Sequence, residues 1–200
     1  EQSFIQYKRD MVTAKVGRQV LTYDGHRHVG DVGWRQDRQT FDAARVTLKP
    51  IKDLAIDLSY LWRRNRINSP NFADVTDSSD KLINVSYNTP IGKVVGYGYL
   101  LSAENSGPAW DETETYGLSF GGKTKGDVKF HYALEYAQQD NKTASLDTEY
   151  LFGEIGITVA GITGKLGYEL LGSDSNGVTT ENFQTPLATV HKFNGWADVF

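Results

Sequence analysis

The chain has 200 residues, 39% of them hydrophobic and 12% aromatic, with a net charge of −4. That length suits one domain with a sizeable core or apolar surface, and the charge argues against nucleic acid as a partner of the whole chain. Cysteine is absent, which removes disulfides, thiolate metal sites and a cysteine nucleophile. No apolar run is long enough for a transmembrane helix, but a transmembrane barrel stays open because its strands show only alternating hydrophobicity.

Charge is unevenly placed. Residues 1–67 carry 13 Lys and Arg against 8 acids, and all nine arginines lie at or before Arg66. Arginine offers a planar, permanently charged fork that matches carboxylates and phosphates, so the first third of the chain points to an anionic partner.

In chain order, a short end strand is predicted at 3–8, followed by a strand with Val12, Ala14 and Val16 on one face and Lys15 and Gln19 on the other. Arg18 then falls on the apolar face, which a bulge at Gly17 or a place near a membrane rim would explain. After the polar segment 22–39, Ala44, Val46 and Leu48 alternate with Arg45. "LAIDLSYLW" sets Leu54, Ile56, Leu58, Tyr60 and Trp62 against Asp57 and Ser59, with Arg63 continuing the polar face. The rhythm recurs in Ile83, Val85, Tyr87; in Val95, Tyr97, Tyr99, Leu101; and in Tyr116, Leu118, Phe120. Next come Phe130, Tyr132, Leu134, Tyr136; then Leu151, Ile155, Ile157, Val159; then Ile162, Leu166, Tyr168, Leu170. Lys129, His131, Glu135, Glu154, Lys165 and Glu169 occupy the opposite faces of these last strands. A two-residue period is a strand signature, and a helical period would scatter these sets.

Short connections ("KRD", "KPIKD", "NTPIG", "GKTKGD", "VAGI") alternate with long polar segments at 22–39, 68–80, 105–113, 140–147 and 173–190. Such alternation is what an outer-membrane up-and-down barrel produces, with tight turns at one rim and long loops at the other. With an end strand at 192–200, about eleven strands are predicted, an odd number that implies part of a larger even-stranded barrel. The fold class is therefore all-β, a transmembrane antiparallel barrel forming one domain over 1–200, incomplete at both ends. Tyrosines toward strand ends, Tyr60 with Trp62 and Tyr97 with Tyr99, fit aromatic girdles at the membrane interfaces. A soluble β-sandwich or lipocalin-like barrel binding a small ligand is the rival with the same period.

"VGRQVLTYDGHRHVGDVGWRQDRQTFDAARV" and "HKFNGWADVF" resemble the alginate-export family of outer-membrane porins. The match rests on Gly17-Arg18-Gln19, Gly30, Gly33-Trp34-Arg35-Gln36, Thr40-Phe41-Asp42-Ala43, His191-Lys192-Phe193 and Gly195-Trp196-Ala197-Asp198. The resemblance implies a large monomeric barrel in the bacterial outer membrane, with a lumen rich in Arg and Lys that passes an anionic polysaccharide or related organic solute. Members are about twice this length, so the chain would hold a middle portion.

Arg27, Arg35 and Arg38, with His26 and His28, lie in the first long loop. They either fold into the lumen as a cationic constriction for carboxylates or pair with Asp24, Asp31, Asp37 and Asp42 at the rim. Parity places Lys15, Gln19, Arg45, Arg63, Lys129, His131, Glu135 and Lys165 toward the lumen, where solute contact competes with simple solvation and cross-strand pairing. His26-x-His28 is a weak metal pair without a partner at diagnostic spacing. His131 lacks a nucleophile elbow, and Glu135 with Glu154 would suit a glycosidase only at the right separation. The expectation is a passive porin for anionic oligosaccharides or small organic anions, embedded in outer-membrane lipid, neither an enzyme nor a cofactor or metal protein. A non-conducting barrel with adhesive loops is the alternative.

Overall fold

The computed structural model describes residues 2–31, 33, 38–66, 77–103, 112–188 and 193. The expected end strand at 192–200, Arg35, and the family anchors at 34–36 and 191–198 other than Phe193 lie outside them. Ten strands follow one another: β1 (Ser3–Arg9), β2 (Val12–Gln19), β3 (Thr40–Leu48), β4 (Leu54–Asn65), β5 (Asp80–Thr89), β6 (Gly92–Leu101), β7 (Thr113–Lys123), β8 (Lys129–Asn141), β9 (Leu146–Val159) and β10 (Ile162–Leu171). They form one sheet in that order, each antiparallel to the next. A small hairpin, β11 (Ser173–Ser175) with β12 (Thr180–Asn182), interrupts the segment expected to be one long loop.

The turns carry the chemistry that tight hairpins need. Ala160 and Gly161, between β9 and β10, both take positive φ, 49° and 84°, the twist that matches the flanking strands in a two-residue loop. At the opposite end the connections are long after β2, β4 and β6. The expected long loop at 140–147 is instead a tight turn, because β8 runs to Asn141 and β9 starts at Leu146.

Residues 20–31 fold back over one face of the sheet, here called the inner face; the other is the outer face. Cross-strand register puts Lys15, Arg45, Ser59, Leu82, Tyr99, Thr115, Gln139 and Thr148 on the inner face. On the outer face Leu118 is 60%, Leu134 63%, Ile155 66% and Leu166 73% exposed. A contiguous apolar face of this extent is costly in water and suits contact with lipid.

Two expected faces are corrected by the register. Val95, Tyr97, Tyr99 and Leu101 point inward and are buried, opposite Ser86, Asn84 and Leu82, so Tyr97 and Tyr99 are no part of an outer girdle. Their outward alternates, Val94, Gly96, Gly98 and Leu100, are also apolar or neutral, which is why the period alone pointed the wrong way. In β4, Asp42 pairs with Arg63 but Ala43 with Leu61, leaving Trp62 unopposed. This bulge shifts the parity, so Arg63 sits on the outer face and Arg64 takes the inward position. Arg18 stays on the outer face beside the long-loop end, with unbroken register through Gly17. Its charge is matched by Asp42, with Nε and a terminal nitrogen donating at 2.7 and 2.9 Å.

Candidate functional site on the inner face

The inner face carries a network that ties the first long segment to the wall. The Asp57 carboxylate accepts from Arg45 at 2.6 to 3.0 Å and from Thr47 Oγ1 at 2.6 Å. Tyr23, from the incoming segment, donates its hydroxyl to Asp57 and lies 2.9 Å from Ser59 Oγ. Burial, and then the Asp57 carboxylate, push the Tyr23 hydroxyl well above the usual phenol range, so it stays protonated and able to donate. Tyr23 also stacks on Tyr99 with ring centroids 6.1 Å apart.

Further along the same segment, His28 is packed among Tyr97, Tyr150 and Phe183. Its Nε2 is 2.8 Å from Glu135 Oε1, which also accepts from the Tyr97 hydroxyl at 2.7 Å. Tyr97 can lie flat here because its register partner is Gly117, where a Cβ would run into the tyrosine ring. Arg27, 6% exposed, donates through Nε to Glu169 at 2.7 Å, and Tyr150 donates to the same oxygen at 2.7 Å. The Arg27 guanidinium also sits 4.9 Å from the Phe193 ring centroid.

A second segment meets the first. After β12 the chain turns onto the inner face, where the Gln139 side chain both donates to Gln184 O and accepts from Gln184 N, at 2.8 and 2.7 Å. Gln39 bridges the two segments, donating to Gly30 O at 3.0 Å and Leu187 O at 2.9 Å, and Gly30 N donates to Leu187 O at 2.9 Å. Satisfying these backbone groups inside the sheet lets irregular segments sit there at acceptable cost.

The arginines of the opening loop therefore divide. Arg27 lies over the inner face, whereas Arg38 is half-exposed and pairs with Asp31 of its own loop. Gln19 is fully buried and donates to Ala43 O at 3.0 Å, which makes it part of the wall's scaffold. His131 shares a 2.7 Å hydrogen bond with Thr158 Oγ1, and Lys165 pairs with Glu154 at 2.8 Å. Asp24 accepts from Asn84 and from Lys93, both at 2.7 Å. Arg64 and Asp80, which sequence reasoning did not single out, form a buried two-point pair at 2.6 and 2.7 Å.

Four inner-face lysines are not answered in this way. Lys8, Lys15, Lys123 and Lys129 lie on the inner face by register, and none has a carboxylate partner among the described residues. Lys15 rests its ammonium over the Phe4 ring at 4.4 Å. Lys8, Lys123 and Lys129 are exposed, so their charge is presented to whatever fills the space inside the sheet. Among the described residues, no group of three or more His, Asp or Glu side chains is gathered to hold a metal ion.

No protein-family model matches the chain, and no curated protein does. Solved structures do. OpdL of Pseudomonas aeruginosa superposes with a TM-score of 0.70 at 16% identity, over 95% of this chain and 54% of its own. The outer-membrane protein OpdK of Pseudomonas aeruginosa, solved also with vanillate, gives 0.71 at 13% identity over 94% and 50%. Pseudomonas aeruginosa OccK2 (OpdF) in complex with glucuronate gives 0.70 at 12% identity over 84% and 47%. The chain thus spans about half the length of the structures it matches. The fold they share is the antiparallel up-and-down sheet of a transmembrane β-barrel, and this ten-stranded sheet is consistent with part of a larger one.

Proposed function

We propose that this sheet is part of the wall of a passive outer-membrane channel for small organic anions, with its outer face in lipid and its inner face lining the lumen. The observation that carries this reading is the set of lysines Lys8, Lys15, Lys123 and Lys129, turned inward without carboxylate partners among the described residues. Fixed cations in a narrow, partly desolvated passage replace part of a carboxylate's hydration and set a local positive potential. Binding stays weak because each lysine is a mobile point charge, which suits conduction. Vanillate and glucuronate in two structural neighbours are the kind of solute meant: one carboxylate on a small polar frame. The anionic polysaccharide implied by the resemblance to alginate-export porins is the less favoured cargo, because two segments, 20–31 and 183–188, lie over the inner face and narrow the path.

Those same segments favour a second reading, a plugged barrel whose long loops are adhesive. Planar-bilayer recording of the barrel carrying this chain separates the two. The channel reading expects steady single-channel current and a reversal potential of anion-selective sign in a salt gradient. Absence of current would leave the plugged barrel, and cation selectivity would overturn the anion assignment.

A further inference from the structure

The inner face of β7 to β10 holds a second polar cluster, on the short-turn side of the points where segment 20–31 grips the wall at Glu135 and Glu169. Register sets two adjacent rows there: Lys123, His131, Gly156 and Lys165, and beside it Lys129, Thr158 and Thr163. Cross-strand neighbours stand about 5 Å apart and same-face neighbours along a strand about 7 Å apart, so these side chains share one small area of wall. Lys123 and Lys129 are exposed and have no carboxylate partner among the described residues. Lys165 instead donates to Glu154 Oε1 at 2.8 Å, and Gly156, where a Cβ would meet the Lys165 stem, lets that side chain lie close to the wall.

Between the cations a relay fixes an imidazole. Thr158 Oγ1 lies 2.7 Å from His131 Nε2 and 2.7 Å from Thr163 Oγ1. That bond occupies Nε2 and leaves Nδ1 as the ring's remaining polar atom, while the Thr163 hydroxyl and the second Glu154 oxygen keep hydrogen-bonding capacity. The cluster is therefore lopsided. Toward β7 it offers unmatched positive charge, which fits a carboxylate. Toward β10 it offers an imidazole nitrogen, a hydroxyl and a carboxylate–ammonium pair, donors and acceptors in near balance. That half fits hydroxyl groups, which both donate and accept. It disfavours an alkyl chain, which would strip water from the Glu154–Lys165 pair without replacing it.

We propose that this part of the wall is a binding subsite for a polyhydroxylated carboxylate of the aldonic acid type, with its carboxylate on Lys123 and Lys129 and its hydroxyls on His131, Thr163 and the Glu154–Lys165 pair. Thr158 is a positioning residue that acts through the His131 ring. The subsite rests on the proposed reading of the inner face as a lumen lining, and adds a preference among anions that lysines alone do not create. The test is a ligand-observed NMR titration of the barrel carrying this chain, in detergent micelles, with gluconate and with hexanoate, which have the same carbon count and charge. Gluconate is expected to bind about fivefold more tightly. Thr158→Val, similar in volume but unable to relay, is expected to bring the two acids within about twofold by weakening gluconate alone, and Thr158→Ser to keep the preference. Lys129→Met is expected to weaken both acids alike, by about two- to threefold.

Equal binding of the two acids by the wild-type barrel overturns the subsite. So does a Thr158→Val barrel that keeps the wild-type preference, or one that weakens both acids alike, which is the mark of a purely structural role. Should Thr158→Val fail to fold, Thr163→Val carries the test, with the same loss of gluconate alone expected. Planar-bilayer recording on the same samples separates the two readings: anion-selective current without gluconate preference sinks the subsite alone, and gluconate preference without current sinks the channel alone.

Discussion

Two groups of cations on the inner face use charge in opposite ways. One is answered by carboxylates: Asp57 holds Arg45, Asp80 holds Arg64, Glu169 holds Arg27, Asp24 holds Lys93 and Glu154 holds Lys165. The other, Lys8, Lys15, Lys123 and Lys129, lies on the inner face without such partners among the described residues. A neutralised charge is a fastener and an unneutralised one is a field, so the abundance of arginine in the first third says less about solute attraction than four scattered lysines do. Arg27 and the Arg45–Asp57 pair with Tyr23 hold the segment 20–31, and on the proposed reading the lysines set the sign of the lumen.

Removing a fastener should therefore cost far more stability than removing a lysine. The largest effect is expected for Asp57→Ala, which strands Arg45 and strips Tyr23 and Thr47 of their acceptor. Loss of one partner of a buried pair typically costs about 3–5 kcal/mol. Urea unfolding of the barrel in detergent measures it, and limited proteolysis should show new cleavage within 20–31. A variant as stable as wild type would mean that the network is not what holds this segment. Next comes His28→Ala, which leaves the Glu135 carboxylate with Tyr97 alone and empties an aromatic cage. A loss of about 1–3 kcal/mol is expected, with noisier single-channel current as the segment loosens, and quiet current would count against the latch.

How much of this division is legible in the sequence depends on the range of the interaction. The outer face of β8, β9 and β10 reads directly from the two-residue period, because Phe130, Leu134, Ile155 and Leu166 alternate with charged or small residues. β6 misleads because both of its faces are neutral, and only the register against Asn84 and Thr115 decides that Tyr97 and Tyr99 point inward. Arg63 is misplaced by one unopposed residue, Trp62, since a bulge leaves no mark on hydrophobic alternation. Arg27 and Arg38 are chemically equivalent in sequence, yet one finds Glu169, 142 residues away, and the other Asp31, seven away. Local pattern contains the second partner and not the first.

Gly117→Ala probes the latch from beneath. The added methyl falls where the Tyr97 ring lies, so the ring must swing off and surrender its bonds to Glu135 and His28. Overpacking of this kind costs about 1–3 kcal/mol. Combining it with His28→Ala should give less than the sum of the two losses, because both remove the same contacts. Full additivity in a double-mutant cycle would separate Tyr97 from the His28 latch.

The smallest stability effect and the clearest functional one should come from Lys129→Met. Lys129 is exposed at the start of β8 with Thr158 opposite, so unfolding is expected to shift by no more than about 0.5 kcal/mol. Its removal still deletes a cation that no described carboxylate offsets, and the reversal potential should move toward the cation-selective side. The shift should grow with Lys15→Met added and shrink at high salt, where screening shortens the reach of each charge. Arg45→Met reverses this order: a large stability loss, because Asp57 is left unpaired, with a smaller change in selectivity than Lys129→Met. If Arg45→Met instead moved selectivity more than Lys129→Met did, paired arginines would contribute to the field, and the contrast between fastener and field would collapse.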